Sequence, residues 1–86
     1  MANHSSAKKR IRRNLKRNIF MSNRRSKVRT FIKSVELAIT AGEREKAQEL
    51  FKVTESEFMR GVKVGAFDQR TASRKISRLS ASIKAM

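Results

Sequence analysis

The sequence predicts an all-α fold, an antiparallel three-helix bundle with a long basic first helix projecting beyond the core. Three observations point there. Proline is absent and β-branched runs are few, which leaves helix as the default conformation. Apolar residues recur at spacings of three and four in three separate segments, the repeat of a helix with one buried face. Glycine occurs only at Gly42, Gly61 and Gly65, close to where those segments end.

In the first helix, Val28, Phe31, Ile32, Val35, Ala38 and Ile39 fall in one arc about a third of the circumference wide. Gly42 follows this segment and suits the left-handed residue just past a helix end. Glu43 and Glu45 come next, where the positive end of a new helix dipole favours acids. The second stripe is Ala47, Leu50, Phe51, Thr54, Phe58 and Val62. Gly61 is expected in its last turn, at a cost of up to ~1 kcal/mol relative to Ala. Gly65 closes this helix, and Asp68 is the expected N-cap of the third. Ala72, Ile76, Leu79, Ile83 and Met86 form the third stripe. Each stripe needs burial and none can bury itself. Two short connections make successive helices antiparallel. Phe31, Phe51 and Phe58 are therefore expected in the core and not on a base-stacking platform.

A chain of 86 residues makes one domain, and a small one. Such domains bury only about 60% of the surface their unfolded chain exposes, so support from a partner is plausible. With no cysteine there is no disulfide framework and no thiolate metal site, which suits a reducing compartment. No apolar run approaches the ~18 residues of a membrane span, and no secretory-signal core is seen near Met1. His4 is the only histidine, expected in a flexible terminus with no acid near it in sequence. Paired carboxylates and a glycine-rich phosphate loop are lacking as well. The expectation is a non-enzyme with no catalytic residues, no metal and no cofactor.

Twenty-two Lys and Arg against seven acids give a net charge of +15, far beyond what solubility needs. Residues 1–35 carry +12 with no acid, residues 36–59 carry −3, and residues 60–86 carry +6. A chain this basic repels itself unless a polyanion neutralises it, and nucleic acid is the expected partner.

Extended backwards, the core arc of helix one is occupied by Arg10, Arg13, Arg17 and Arg24, which cannot be buried unpaired in an apolar core. The expected organisation is thus a single domain, with residues 1–24 as a basic arm continuous with helix one and residues 25–86 as the bundle. Lys8, Lys9, Arg12 and Lys16 cover further sides of the arm, and only Ile11, Leu15 and Ile19 remain as a thin apolar strip. A helix lying on a membrane has a broad apolar face opposite its charges. Charge that wraps the rod suits a helix surrounded by phosphates, and a disordered basic tail is the alternative. Ile19 and Phe20, at the junction, are expected to cap the open end of the core; a wedge against a ribose or an unstacked base is the other reading. In helix three, Arg70, Arg74 and Arg78 are spaced by four over roughly 12 Å, enough to follow one RNA backbone. Ser73 and Ser77 flank them.

Two rival classes are less well supported. A DNA-compacting protein would be expected to dimerise or to offer a groove-inserting wedge, and a membrane-active cationic helix fits neither the wrapped charge nor the acidic middle. A transit peptide is disfavoured because the basic stretch runs without a break into the core helix.

Three blocks of residues resemble a known family. The opening Met1-Ala2-Asn3-His4-Ser5-Ser6-Ala7-Lys8-Lys9-Arg10 is similar to the start of the twentieth protein of the bacterial small ribosomal subunit, the S-twenty family. Arg24-Arg25-Ser26, with Arg29-Thr30 and Ile32-Lys33, resembles its central basic motif. Lys63-Val64-Gly65, Ala72-Ser73-Arg74 and Ser77-Arg78-Leu79 resemble its C-terminal part. The chain departs from the pattern at Ser5, at Asp68-Gln69-Arg70 and at Ile76, and Arg70 is left out of the contact set. The resemblance implies a three-helix bundle with a long first helix, working in translation as a cytoplasmic component of the small subunit. It further implies direct binding to the 5′ domain and the long penultimate stem of 16S ribosomal RNA, a role in assembly, no membrane and no homo-oligomer. Residue patterns and resemblance together nominate Lys8, Lys9, Arg10, Arg12, Arg13, Lys16, Arg17, Arg24, Arg25, Lys27, Arg29, Arg74 and Arg78 as RNA contacts.

Overall fold

The computed structural model describes residues 4–86, with His4 described in its backbone alone. Three helices follow one another: α1 (His4–Thr40), α2 (Arg44–Lys63) and α3 (Gln69–Lys84). The opening Met1–Asn3 of the family-like block and the side chain of His4 lie outside the described residues. The backbone of His4 is already helical, where a flexible terminus was expected, and the whole basic segment is one helix with the core segment. At 37 residues α1 is about 55 Å long at 1.5 Å per residue, and it accounts for most of the 63 Å length of the molecule.

Both connections are built the same way, by a left-handed glycine after a helix. Gly42 has φ +73° and Gly65 has φ +86°, conformations that a Cβ would strain. The Gly42 N–H donates to the Ile39 carbonyl at 3.0 Å and the Glu43 N–H to Ala38 at 2.9 Å. At the end of α2, Gly65 donates to Val62 at 3.0 Å and Ala66 to Gly61 at 2.8 Å. This paired pattern satisfies carbonyls that a helix end leaves open and turns the chain back at once. Glu43 and Asp68 do occupy the N-cap positions of α2 and α3, but neither side chain makes a capping hydrogen bond.

The core forms two adjoining layers. Val35 and Ala38 of α1, Ala47 of α2, and Leu79 and Ile83 of α3 make one, joined by Ile32, Ile39, Leu50, Phe51 and Met86. Val28, Phe58 and Ala72 make the other, with Ile32, Val62, Phe67 and Ile76 against them. As α1 rises from Val28 to Ala38, α2 descends from Phe58 to Ala47 and α3 rises again from Ala72 to Ile83. The order is up, down, up, and the three expected stripes face inward except at Phe31, which is half-buried at the edge of its arc and packs in neither layer. The buried hydroxyl of Thr54 donates to the Leu50 carbonyl at 2.7 Å.

Two features depart from expectation. Ile19 and Phe20 do not cap the core; they are 60% and 48% exposed, because the bundle closes one to two turns further along α1. The open end is instead covered by Phe67, from the α2–α3 connection, which meets Phe58 edge-on at 4.7 Å between ring centres. Gly61 makes room for it: a Cβ there would lie 2.7 Å from Phe67 Cδ2. Its helix-propensity cost is thus offset by close packing.

Gly61→Ala should therefore destabilise the chain by about 1 kcal/mol, since overpacking costs ~1–3 kcal/mol against a propensity gain of up to ~1. Urea unfolding followed by circular dichroism measures this. An alanine variant more stable than the parent would show that the Phe67 contact does not constrain the site.

Candidate nucleic-acid interface

From Ser5 to Phe20 every residue of α1 is exposed. The stretch holds seven cations, Lys8, Lys9, Arg10, Arg12, Arg13, Lys16 and Arg17, and no acid. At 100° per residue these charges point to most sides of the rod, while Ile11, Leu15 and Ile19 form a strip 55–60% exposed. None of the seven takes part in an ion pair among the described residues. Their positive charge is left to solvent or to a partner.

At the junction the environment changes. Arg24 is half-buried, its guanidinium 5.7 Å from the centre of the Phe20 ring. Arg24 Nη1 donates to Glu57 Oε2 of α2 at 3.1 Å. Lys27 Nζ stands 3.6 Å from the same oxygen, and Arg60 Nη1 donates to Glu57 Oε1 at 3.2 Å. Arg25 is half-buried and Arg29 is exposed. Arg24 lies on the core arc of α1, but facing a carboxylate it needs no apolar burial, which is how the arc passes from apolar to basic without an unpaired charge.

On α3, Arg70, Arg74 and Arg78 are exposed on one side, one turn apart. Lys75 turns the other way and meets Glu36 of α1 at 2.8 Å. Because Ala72 packs level with Val28 and Leu79 level with Val35, this row lies alongside the bundle and not beside the arm. The candidate cations thus occupy three stations: the arm, the junction and α3. Only Arg24 and Lys27 are brought onto a common partner.

Two residues of the junction escaped the sequence pattern, Glu57 and Arg60. A signal for Glu57 existed. It falls about 20° from Leu50 on the helical projection, at the edge of the α2 core stripe, so a carboxylate there has to face another helix. Arg60, one turn on, follows from Glu57.

No group of His, Cys, Asp or Glu suited to a metal occurs among the described residues, and no described helix is long and apolar enough to cross a membrane. A concavity of about 740 Å³ is an open groove between α2 and α3 that Glu49, Lys52, Ser80 and Lys84 help to line. No nucleophile–base pair is assembled there.

Comparison with known proteins gives a consistent result. A family profile described as Ribosomal protein S20 matches residues 2–84. Small ribosomal subunit protein bS20 of Rhodospirillum rubrum is 52% identical over 86 residues, all of this chain and 98% of that protein. The proteins of the same name from Gluconobacter oxydans and Ruegeria sp. are 51% and 49% identical, again over all of this chain and 97% and 99% of theirs.

Since Arg74 and Arg78 are exposed and lie away from both core layers, Arg74→Ala and Arg78→Ala should change thermal stability by no more than about 0.5 kcal/mol. Each should weaken binding to ribosomal RNA. Thermal melts combined with filter binding test the assignment, and a large loss of stability with unchanged binding would reverse it.

Proposed function

Since this chain belongs to the ribosomal protein S20 family, we propose that it binds 16S ribosomal RNA directly and supports the folding and assembly of the small subunit. The family is one of structural ribosomal proteins, not enzymes, and the chain is a cytoplasmic component of the small subunit. The carrying observation is the arm: about four turns of helix with seven cations, no acid and no packing of its own. In this reading residues 1–24 are the arm, residues 25–86 the bundle, and the chain binds as a single copy.

Phosphates on several sides of a rod are available where RNA helices lie close together, and a helix passing between them neutralises more than one backbone. The 5′ domain and the long penultimate stem of 16S RNA are the proposed elements. Arg25, Lys27 and Arg29 continue the contact along α1, and Arg74 and Arg78 add a second track beside the bundle. Arg24 joins through a guanidinium that already holds Glu57.

With about eight phosphate contacts, log affinity for 16S RNA should fall against log salt with a slope of roughly −6 to −7, since each contact releases bound counterions. Filter binding across a salt series measures it. A slope near −1 would remove the electrostatic basis of the proposal.

The arm should gain order on RNA. Its cations repel one another, sit at the positive end of a helix dipole and lack acids for pairing within the helix. Local propensity alone sustains such a helix only weakly. Amide hydrogen exchange should show little protection from Ile11 to Ile19 in the free chain and strong protection in the complex. Equal protection in both states would contradict this.

A further inference from the structure

We propose that Glu57 is a positioning residue that gathers Arg24, Lys27 and Arg60 into a clamp for an RNA backbone phosphate, at the point where α1 leaves the bundle. The inference rests on the RNA-binding reading above and adds to it a defined site, one of whose cations lies on α2.

Three cations converge on a single carboxylate. Arg24 and Lys27 reach Oε2 from successive turns of α1, and Arg60 reaches Oε1 from the next turn of α2. Glu57 is 8% exposed and its backbone is fixed within a helix, so it is an immobile centre around which the longer side chains are arranged. One negative charge against three positive ones leaves two in excess. A single cation would have satisfied Glu57. The second and third repel each other unless a further anion arrives, and phosphate supplies it.

The donors are available to such an anion. The Lys27 and Arg60 side chains remain 56% and 68% exposed despite touching Glu57. Each guanidinium spends one of its five N–H donors on Glu57, and bidentate binding of phosphate needs two more. Arg24 is further held by Phe20 beneath its guanidinium. Contact with Glu57 thus restricts three flexible side chains in the free protein, which lowers the entropic cost of binding.

The test exploits a sign. Glu57→Gln removes a negative charge from an RNA-binding protein, and overall electrostatics would have it bind RNA as tightly or more tightly. The clamp requires weaker binding, because the three cations lose their common centre. Filter binding of the full-length chain to a 16S RNA transcript at about 0.1 M salt should show Glu57→Gln about five-fold weaker, the effect of one lost phosphate contact. Glu55→Gln, the same charge change at an exposed residue outside the cluster, should bind as tightly as the parent or more so. Arg60→Gln should also lose about five-fold, and the double variant less than the product of the two, since both act on one unit. Melting curves establish that the variants are folded at the assay temperature. If Glu57→Gln is not, Arg60→Gln against Lys52→Gln, a matched change elsewhere on α2, decides the matter alone. Unchanged or tighter binding by folded Glu57→Gln, or equal losses for Arg60→Gln and Lys52→Gln, would overturn the clamp while leaving RNA binding in place. A parent chain that does not bind the transcript would overturn both.

Discussion

Burial of the Val28–Ile39 arc of α1 against α2 and α3 is the interaction on which the rest of the structure depends. The other two helices pack onto this arc, and both core layers contain residues from it. The same helix continues for about six further turns with no apolar arc to bury. A continuous helix cannot change which side faces the core, so the boundary of the bundle is set by where the arc turns from apolar to basic. That place is Arg24. There the incompatible demands of an apolar core and a cationic rod are reconciled by one carboxylate from α2.

The acidic middle of the chain acquires a meaning from this. Glu57 and Glu36 reach from one helix to another, to Arg24 and Lys27 in the first case and to Lys75 in the second. Exposed pairs such as Glu36–Lys75 add ~0–1 kcal/mol and do not hold the bundle together. Their effect is to lower repulsion inside the bundle, where cations from three helices come close. The arm has no such acids. All seven acids lie in the bundle and offset half of its fourteen cations, whereas the projecting part keeps every charge bare, a distribution suited to a polyanionic partner.

Thin cores and tight turns go together here. Few large side chains are fully buried, and small residues, Ala38, Ala47, Ala66 and Ala72, fill several of the inward positions. Small residues bring helices close but bury little apolar area each. Precision at the ends compensates in part. Both connections use the same left-handed glycine and the same pair of backbone hydrogen bonds, and Phe67 is delivered over Gly61 to close the open end. A bundle of this size gains from a partner that fixes its surroundings.

Much of this was legible in the residues themselves. Helix periodicity identifies the three stripes, the glycines mark both reversals, and the missing acids before Glu36 single out the arm, since each depends on local geometry or on charge that sequence displays directly. Even the family resemblance is carried by short contiguous blocks. What lies between helices was not legible. That Phe67, and not Ile19 or Phe20, covers the end of the core depends on how far α2 descends before it turns. That Gly61 serves a ring six residues away depends on the path of the connection. That Arg24 is partnered while Arg17 is not depends on Glu57 being carried opposite it, 33 residues along the chain. Sequence determines which residues a helix presents on each face; only packing in three dimensions decides which of those faces meet, and so which charges remain unpaired.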